Sequence, residues 1–129
     1  MAQPVYIPNN SPDLVTMEEA ENGGLKYRLT VDAEGGPSDN LCQGIFYLYD
    51  GHSESTHVHD VDEVIYVLAG NGHVRLGDRE MRLSPGDTVY IPAGVPHGFT
   101  AKDNADLTVH FTFPVDRFSD VVYDYGAAA

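Results

Sequence analysis

The sequence lacks the features that mark disulfide-rich, secreted or membrane-spanning proteins. Its 129 residues include a single cysteine, Cys42, which cannot form an internal disulfide framework. Such a chain suits a reducing compartment, so we expect a cytoplasmic protein. Residues 1–14 lack the basic and apolar segments of a secretory signal, and no apolar run reaches the ~20 residues of a membrane-spanning helix. We therefore expect neither a signal peptide nor a transmembrane segment.

Basic residues are also scarce. Seven lysines and arginines stand against twenty aspartates and glutamates, which gives a formal net charge of -13. A surface of this charge repels the phosphates of nucleic acids and anionic lipids. We expect no nucleic-acid partner and no membrane partner, and we interpret the acidic excess as a solvated surface.

Helical periodicity is missing as well. From residue 25 onward, no apolar pattern at helical spacing persists for three turns, whereas short segments rich in Val, Ile, Tyr, Phe and Thr recur between Gly, Asp, Asn and Pro. Turn-forming residues at 70–72, 77–78 and 84–86 fall where hairpins need them. We predict an all-β fold, closed into a barrel or packed as two sheets. The predicted strands cover residues 25–31, 43–49, 62–70, 72–77, 79–83, 87–92, 98–101 and 106–113.

The length fits one domain spanning residues 1–129, because either half alone would bury too small a core. Residues 1–24 contain three prolines and predict an extended N-terminal arm, with room for one helical turn in the acidic stretch 17–21. Residues 25–114 would form the barrel, and residues 115–129 would form a C-terminal tail.

Four residues with metal-binding side chains stand at spacings that could bring them together. His57, His59 and Glu63 share parity, so on an extended chain their side chains emerge on the same face. His97 follows a proline and a glycine, within residues 92–94, that fix a tight turn able to direct it toward the same ion. Imidazole and carboxylate are ligands of divalent first-row transition metals. Ordinary hydrogen-bonded polar groups remain the alternative interpretation, but four such residues in register favour a metal site.

The spacing of these residues resembles that of the cupin superfamily. The first cupin motif is matched at every position by Gly51, His57, His59, Glu63 and Gly70. The second motif is matched by Gly86, Pro92, Gly94 and His97, with Ala101 in place of a final asparagine. The resemblance implies a single-domain cupin, a double-stranded β-helix or jelly-roll barrel, in which the four ligands hold one divalent transition metal ion (Fe, Mn, Ni, Co or Zn). A six-coordinate ion would keep two positions open for a small-molecule substrate, or for substrate and oxygen.

From about residue 25 to residue 123 the chain also resembles small cupins that include bacterial dimethylsulfoniopropionate lyases, particularly in the tail segment 113–123. In those enzymes a tyrosine two residues after the ligand glutamate is taken to remove the proton α to the substrate carboxylate. Here Ile65 stands at that position. Tyr66 follows one residue later, where a regular strand directs its side chain away from the ligands unless a bulge intervenes. Tyr123 matches a tail tyrosine of the lyases and is a second candidate base.

Other residues are candidates for the wall of a substrate pocket. His110 alternates with two threonines opposite an apolar face of the last predicted strand, so it either lines a cavity or faces water, and the pattern leaves both open. The tyrosines of the strand before the ligands are also further candidates for the base. The pocket candidates are Tyr47, Tyr49, Ile65, Phe99 and His110.

Three functions are consistent with these observations. The first is a metal-dependent lyase or isomerase acting on a small carboxylate by proton abstraction, which Ile65 weakens. The second is an Fe(II)-dependent dioxygenase, which needs no tyrosine. The third is a non-catalytic cupin that binds a small molecule. We also expect a homodimer, because a second subunit would cover the exposed barrel edge, and the arm with Val5, Tyr6 and Ile7 could serve as an exchanged strand.

Overall fold

The structure is a computed structural model of the chain, and it describes residues 4–9, 16–18, 25–33 and 38–126. Within these ranges the chain is built almost entirely from antiparallel strands. In chain order the elements are β1 Thr16–Glu18, β2 Leu25–Val31, β3 Cys42–Leu48, β4 Glu63–Gly70, β5 Gly72–Leu76, β6 Arg79–Leu83, β7 Thr88–Ile91, β8 His97–Ala101, β9 Leu107–Phe113 and the 3-10 helix Phe118–Asp120.

The strands form two sheets. The larger sheet has the order β1-β2-β3-β9-β4-β7, and the smaller sheet has the order β6-β5-β8. The two sheets face each other across a shared core, in which Phe46 of β3 meets Phe99 of β8 with ring centroids 5.4 Å apart. The predicted all-β fold is confirmed, and every predicted strand is present with ends that differ by at most one residue.

Alternation of side chains explains why these segments are strands. In β3 and β9 every second residue is buried and the residues between are half-buried, which is the pattern of a sheet with one face on the core. In β9 the buried set is Leu107, Val109, Phe111 and Phe113, as its apolar face predicted. A one-residue change of register would move this whole set away from the core, so the pairing of β9 with β3 and β4 is strongly specified.

Glycines at two of the predicted turns adopt backbone conformations that other residues rarely take. Gly70, the last residue of β4, has φ +94°, and a Cβ atom there would lie 1.6 Å from the carbonyl oxygen of Asp106. Gly86, before β7, has φ +93°. The turn at Gly70 therefore demands glycine for conformation and for space.

The two ends of the chain both return to the sheets. Part of the N-terminal arm forms β1, which pairs with β2, so the helical turn expected in residues 17–21 is wrong for residues 17–18; residues 19–21 lie outside the described residues. In the C-terminal tail, the Phe118 amide donates to the buried carboxylate of Asp32 at 2.7 Å. Among the described residues, no helix has the length and hydropathy needed to cross a membrane.

Candidate metal centre

Two chain segments that are distant in sequence lie side by side at the site. The segment before β4 meets the start of β8 through a reciprocal pair of backbone hydrogen bonds between His57 and His97, both 2.9 Å long. Residues directly opposite in such a pair project to the same side, and the two imidazole centroids are 4.3 Å apart. The sheet pairing therefore places the last predicted ligand beside the first.

Three imidazoles converge in the interior. Ligand nitrogens of His57, His59 and His97 all lie within 4.8 Å of one another, and the three residues are 1%, 4% and 1% exposed. One metal ion could contact all three nitrogens, because metal–nitrogen bonds of about 2.0–2.1 Å allow ligand atoms to lie a few ångströms apart.

The surrounding backbone fixes which nitrogen each histidine presents. A carbonyl oxygen only accepts hydrogen bonds, so each Nδ1 that contacts one must carry the proton. Each Nε2 of a neutral ring is then left with a lone pair, which is the state of a metal ligand. The Nδ1 group of His57 donates to the Ser55 carbonyl at 2.8 Å. That of His59 donates to the Val61 carbonyl at 2.9 Å, and that of His97 to the Val95 carbonyl at 2.9 Å.

Glu63 completes the cluster from the first position of β4. Its Oε1 atom lies 3.1 Å from Nε2 of His59 and 3.4 Å from Nε2 of His97, and the carboxylate is 5% exposed. Burial opposes ionisation of Glu63, but the adjacent His59 and His97 outweigh it and lower the pKa of the carboxyl. Burial, followed by the charge of His97, lowers the pKa of His57 to about 4, which favours the neutral ring.

The residues fit a metal cation because their polar atoms would otherwise oppose one another. The Nε2 atom of His97 is buried and makes no hydrogen bond, since its 3.4 Å approach to Glu63 lacks hydrogen-bonding geometry. A lone pair facing an ionised carboxylate is repulsive, and a cation between the two groups would remove the repulsion. Three imidazoles and one carboxylate are a donor set that first-row transition metals accept.

The C-terminal tail lies against the two histidines that precede β4. Val58, between these ligands, exchanges backbone hydrogen bonds of 3.0 and 2.9 Å with Asp124. This pairing brings Tyr123 over the cluster, with its ring stacked on that of His57 at 4.6 Å and 23°. Tyr125, which is not among the residues predicted for the site, has its ring centroid 5.4 Å from that of His57. The sequence signal for it was its shared parity with Tyr123.

Tyr66 does not reach this cluster. Residues of β4 are alternately buried and exposed, with Glu63 and Ile65 inside and Tyr66 outside at 45% exposure. An irregularity does occur in β4, but it lies between Val67 and Ala69, beyond the tyrosine, and leaves its direction unchanged. Its candidacy as a base therefore has no geometric support.

Of the five pocket candidates, two lie inside the barrel and three lie on the outer face of the large sheet. Ile65 and Phe99 are 0% and 1% exposed, and both lie inside, two residues beyond a ligand on the same strand. Tyr47 and Tyr49 lie on the outside, where the Lys26 ammonium group is 5.6 and 5.5 Å from their ring centroids. Of the five candidates, only the two interior residues stay near the ligands.

The remaining pocket candidate, His110, is also on the outer face. It is half-buried, its neighbours Val109 and Phe111 point into the core, and burial lowers the pKa of its imidazole. The sequence pattern left open whether His110 lines a cavity or faces water, and the structure places it on the outer surface. Tyr47, Tyr49 and His110 thus lie on the outer surface, which corrects the expectation that they line the pocket.

An arginine in β5 ties together the two segments that carry the histidines. The guanidinium group of Arg75 donates to the Thr56 hydroxyl at 3.0 Å, to the Thr100 hydroxyl at 3.1 Å, and to the Glu54 carbonyl at 2.8 Å. It lies over Gly98, where a Cβ atom would be 2.4 Å from Nη2. The sequence does not indicate this contact, because a single arginine in a strand carries no local signal of what it will touch.

Comparison with known proteins identifies the family. The model of the cupin domain matches residues 44–113, more than half of the chain, so the chain belongs to the cupin family. The resemblance stated from the sequence and the jelly-roll fold that it implied are confirmed.

Named relatives include enzymes of two kinds. The chain is similar to the dimethylsulfoniopropionate lyase DddQ of Ruegeria pomeroyi, with 37% identity over 73 residues that cover 54% of this chain and 36% of that protein. It is also similar to the acireductone dioxygenase of Xenopus tropicalis, with 28% identity over 100 residues that cover 74% of this chain and 52% of that protein. The chain thus spans about a third to a half of the length of these relatives.

Among solved structures, the polyketide cyclase RemF from Streptomyces resistomycificus is similar in fold. The TM-score is 0.74 at 25% identity, and the match covers 92% of this chain and 82% of that protein.

Proposed function

We propose that the protein is a metal-dependent lyase or isomerase that acts on a small carboxylate by removing a proton next to the carboxyl group. The observation that carries the proposal is the position of Tyr123, whose ring lies 4.6 Å from that of His57 and 5.5 Å from that of His59. A phenolic oxygen beside the ligand cluster can serve as the general base for a substrate seated there. Similarity to DddQ, a dimethylsulfoniopropionate lyase, supports the same class of reaction.

His57, His59, His97 and Glu63 would hold one divalent transition metal ion, Fe, Mn, Ni, Co or Zn. When bound, such an ion supplies Lewis-acid polarisation to an oxygen-bearing substrate. The carbonyls that accept from the Nδ1 groups keep the ligand nitrogens aimed at one point. Phe113, fully buried and 5.2 Å from the His59 ring, excludes water from one side of the cluster.

Dimethylsulfoniopropionate illustrates the proposed step. As the phenolate, the Tyr123 oxygen takes a proton from the carbon next to the carboxylate and becomes the neutral phenol. The electron pair of that C–H bond becomes part of the C=C bond of acrylate, and the C–S bond breaks with release of dimethyl sulfide. An isomerase would use the same first step and return the proton at another carbon.

The test measures proton removal directly. Protein loaded separately with each of the five metals is incubated in D₂O with dimethylsulfoniopropionate and a panel of small carboxylates. NMR reports deuterium uptake next to the carboxyl group, and gas chromatography reports dimethyl sulfide. We expect turnover with at least one metal and a loss of at least ~100-fold in Tyr123→Phe, the size typical for a general base.

Tyr66→Phe is the matched control, since it removes a phenolic oxygen from the opposite face of β4. It should retain activity. No exchange and no elimination with any metal, or full activity in Tyr123→Phe, would contradict the proposal.

A dioxygenase is the second candidate. Two observations favour it: the similarity to acireductone dioxygenase, and Ile65 at the position where the lyases have a tyrosine. The expected result for this candidate is substrate-dependent oxygen consumption by the iron-loaded protein, measured with an oxygen electrode, and no effect of Tyr123→Phe. Retention of a small carboxylate without turnover in either assay would instead support a non-catalytic binding protein.

A further inference from the structure

A buried carboxylate, Asp32, lies outside the metal centre and takes no part in the proposed proton transfer. It directly follows β2 and is 5% exposed. A carboxylate is costly to bury unless its oxygens accept hydrogen bonds. Asp32 accepts a hydrogen bond of 2.7 Å from the amide of Phe118, the first residue of the 3-10 helix. The buried group therefore attaches the C-terminal tail to the end of β2.

The attachment fixes the tail at two adjacent points. Beside the bond to Asp32, the Ala33 amide donates to the Asp116 carbonyl at 2.7 Å. Residues 32–33 thus hold the two peptide groups that flank Arg117. Because a carboxylate is a stronger acceptor than a neutral oxygen, the bond to Asp32 contributes more to the attachment than a bond between two backbone groups.

The ring of Phe118 connects this attachment to the candidate base. Its centroid lies 5.3 Å from that of Tyr27 in β2 and 5.6 Å from that of Phe111 in β9. It also lies 6.1 Å from that of Tyr123, with the two rings at 65°. Edge contacts at these separations are favourable between aromatic rings. Phe118 therefore packs on the large sheet and on Tyr123 at the same time.

Tyr123 lies between this attachment and a second one. On the other side of it in the chain, Asp124 is paired with Val58 through two backbone hydrogen bonds. A tail released at Asp32 would keep this pairing but lose the fixed position of the Phe118 ring. Tyr123 could then shift over the ligand cluster, and a displacement of about 1 Å can slow a reaction ~100-fold.

We propose that Asp32 is a positioning residue for Tyr123: by holding the Phe118 amide it fixes the Phe118 ring, which keeps the phenol of Tyr123 stacked on His57. Asp32 acts through Phe118, and its own oxygens take no proton in the reaction. The inference rests on the proposed function to the extent that Tyr123 is the base. The position of the Tyr123 ring can be measured without turnover, so the two can fail separately.

The first test measures the position of Tyr123 by NMR, which suits a chain of 14.1 kDa. Nuclear Overhauser effects between the ring protons of Tyr123 and His57 should be present in the native protein and lost in Asp32→Ala. Asp32→Asn keeps a side-chain oxygen that can accept from the Phe118 amide, so it should retain them.

Asp106→Ala is the matched control. The Asp106 carboxylate also accepts from a backbone amide, that of Asp50 at 2.8 Å. It precedes β9, whose other end carries Phe113 beside the ligand cluster, so it lies at the end of the barrel away from the ligands. This variant should leave the contact between the Tyr123 and His57 rings unchanged.

Trypsin tests the attachment itself. Arg117 is exposed, and no other lysine or arginine follows Lys102 in the sequence. Cleavage after Arg117 requires local opening of the segment that Asp32 holds. It should be at least ~10-fold faster in Asp32→Ala than in the native protein, and unchanged in Asp106→Ala.

The third test measures catalysis. Asp32→Ala should lower kcat at least ~10-fold and change KM less than ~3-fold, because the metal ligands are unaltered. Asp32→Asn should stay within ~3-fold of the native rate. Asp32→Ala/Tyr123→Phe should be no slower than Tyr123→Phe alone, since Asp32 acts through that tyrosine.

Circular dichroism reports whether each variant is folded. If Asp32→Ala does not fold, Phe118→Leu replaces it, because it keeps the amide that Asp32 holds and removes the ring that contacts Tyr123. A folded replacement of either kind that keeps the contact between the Tyr123 and His57 rings would overturn the proposal. Unchanged trypsin cleavage in Asp32→Ala, or additive losses of activity in the double variant, would also overturn it. Absence of turnover in the native protein would contradict the proposed function alone.

Discussion

Arg75 and Gly98 form one structural unit that supports the ligand cluster, and substitution of either residue should weaken it. The guanidinium of Arg75 lies close to the backbone at position 98, which requires that this residue has no side chain. A Cβ atom there would lie 2.4 Å from Nη2 and 2.7 Å from the Glu54 carbonyl oxygen. In Gly98→Ala the arginine must move away from its acceptors. In Arg75→Met the acceptors remain and the donors are lost.

The three hydrogen bonds of Arg75 set the size of the effect. Each is worth about 0.5–1.5 kcal/mol net, and the half-buried position of the guanidinium favours the lower part of that range, so we expect Arg75→Met to lose about 2 kcal/mol of unfolding free energy. Gly98→Ala should lose more, because its Cβ atom also meets the Glu54 carbonyl oxygen. At roughly 3 °C per kcal/mol for a chain of this length, the melting temperature of Arg75→Met should fall by roughly 6 °C. Because Thr56 precedes His57 and Gly98 follows His97, we also expect zinc affinity to fall about 10-fold.

The double variant distinguishes the loss of one shared set of contacts from two independent losses of stability. If both substitutions break the same contacts, Arg75→Met/Gly98→Ala should lose about as much stability as Gly98→Ala alone, with a coupling free energy of about 2 kcal/mol. Urea denaturation measures the free energies, and competition with a chromophoric chelator measures zinc affinity. Arg82→Met, at an exposed position on β6, is the control and should change stability by less than about 0.5 kcal/mol. Additive losses in the double variant would refute the shared unit, and unchanged zinc affinity would refute the link to the ligands.

Three further predictions concern the turn before β5, the lone thiol and metal removal. In Gly70→Ala the backbone has φ +94° and the new Cβ atom would lie 1.6 Å from the Asp106 oxygen, so the free energy of unfolding measured in urea should fall by more than about 3 kcal/mol. Gly77→Ala, with φ +61° and no atom within 4 Å of the new Cβ, should lose only about 1 kcal/mol. Equal losses in the two variants would contradict the steric argument. Burial, and then the Asp32 charge, raises the pKa of the fully buried Cys42 thiol to about 12, so a thiol reagent at pH 8 should label it only after unfolding, and rapid labelling of the native protein would contradict this. With metal at ~1,000 times its dissociation constant, binding stabilises the protein by about 4 kcal/mol, so a chelator should lower the melting temperature by the corresponding amount. His57→Ala/His97→Ala should show no chelator-dependent shift. A shift of equal size in the native protein and in this variant would exclude the cluster as its origin.

The strands and the ligand cluster could be predicted because both depend on local spacing. Alternation along residues 107–113 already identified the buried face of β9, and the parity of His57, His59 and Glu63 was sufficient to place them on one side of an extended segment. His97 needed one further assumption, that a second segment returns beside the first. Backbone pairing between His57 and His97 provides that return.

Residues of β3 show where local spacing is insufficient. Both alternating sets of that strand contain large apolar side chains, with Phe46 and Leu48 in one set and Ile45 and Tyr47 in the other. Either set could have faced the core. The outcome depends on pairing with β2 and β9, which a single sequence does not specify.

The position of Tyr123 depends on a contact that leaves even less trace in the sequence. The hydrogen bonds between Val58 and Asp124 join backbone atoms, so the side chains at these positions need no particular chemistry. Yet this pairing decides which phenolic oxygen can serve the cluster, since it brings Tyr123 to His57 while the alternation of β4 keeps Tyr66 outside. The proposed ligand set can therefore be inferred from motif spacing, whereas the proposed base, and with it the choice between proton abstraction and oxygen chemistry, depends on how the tail returns to the barrel.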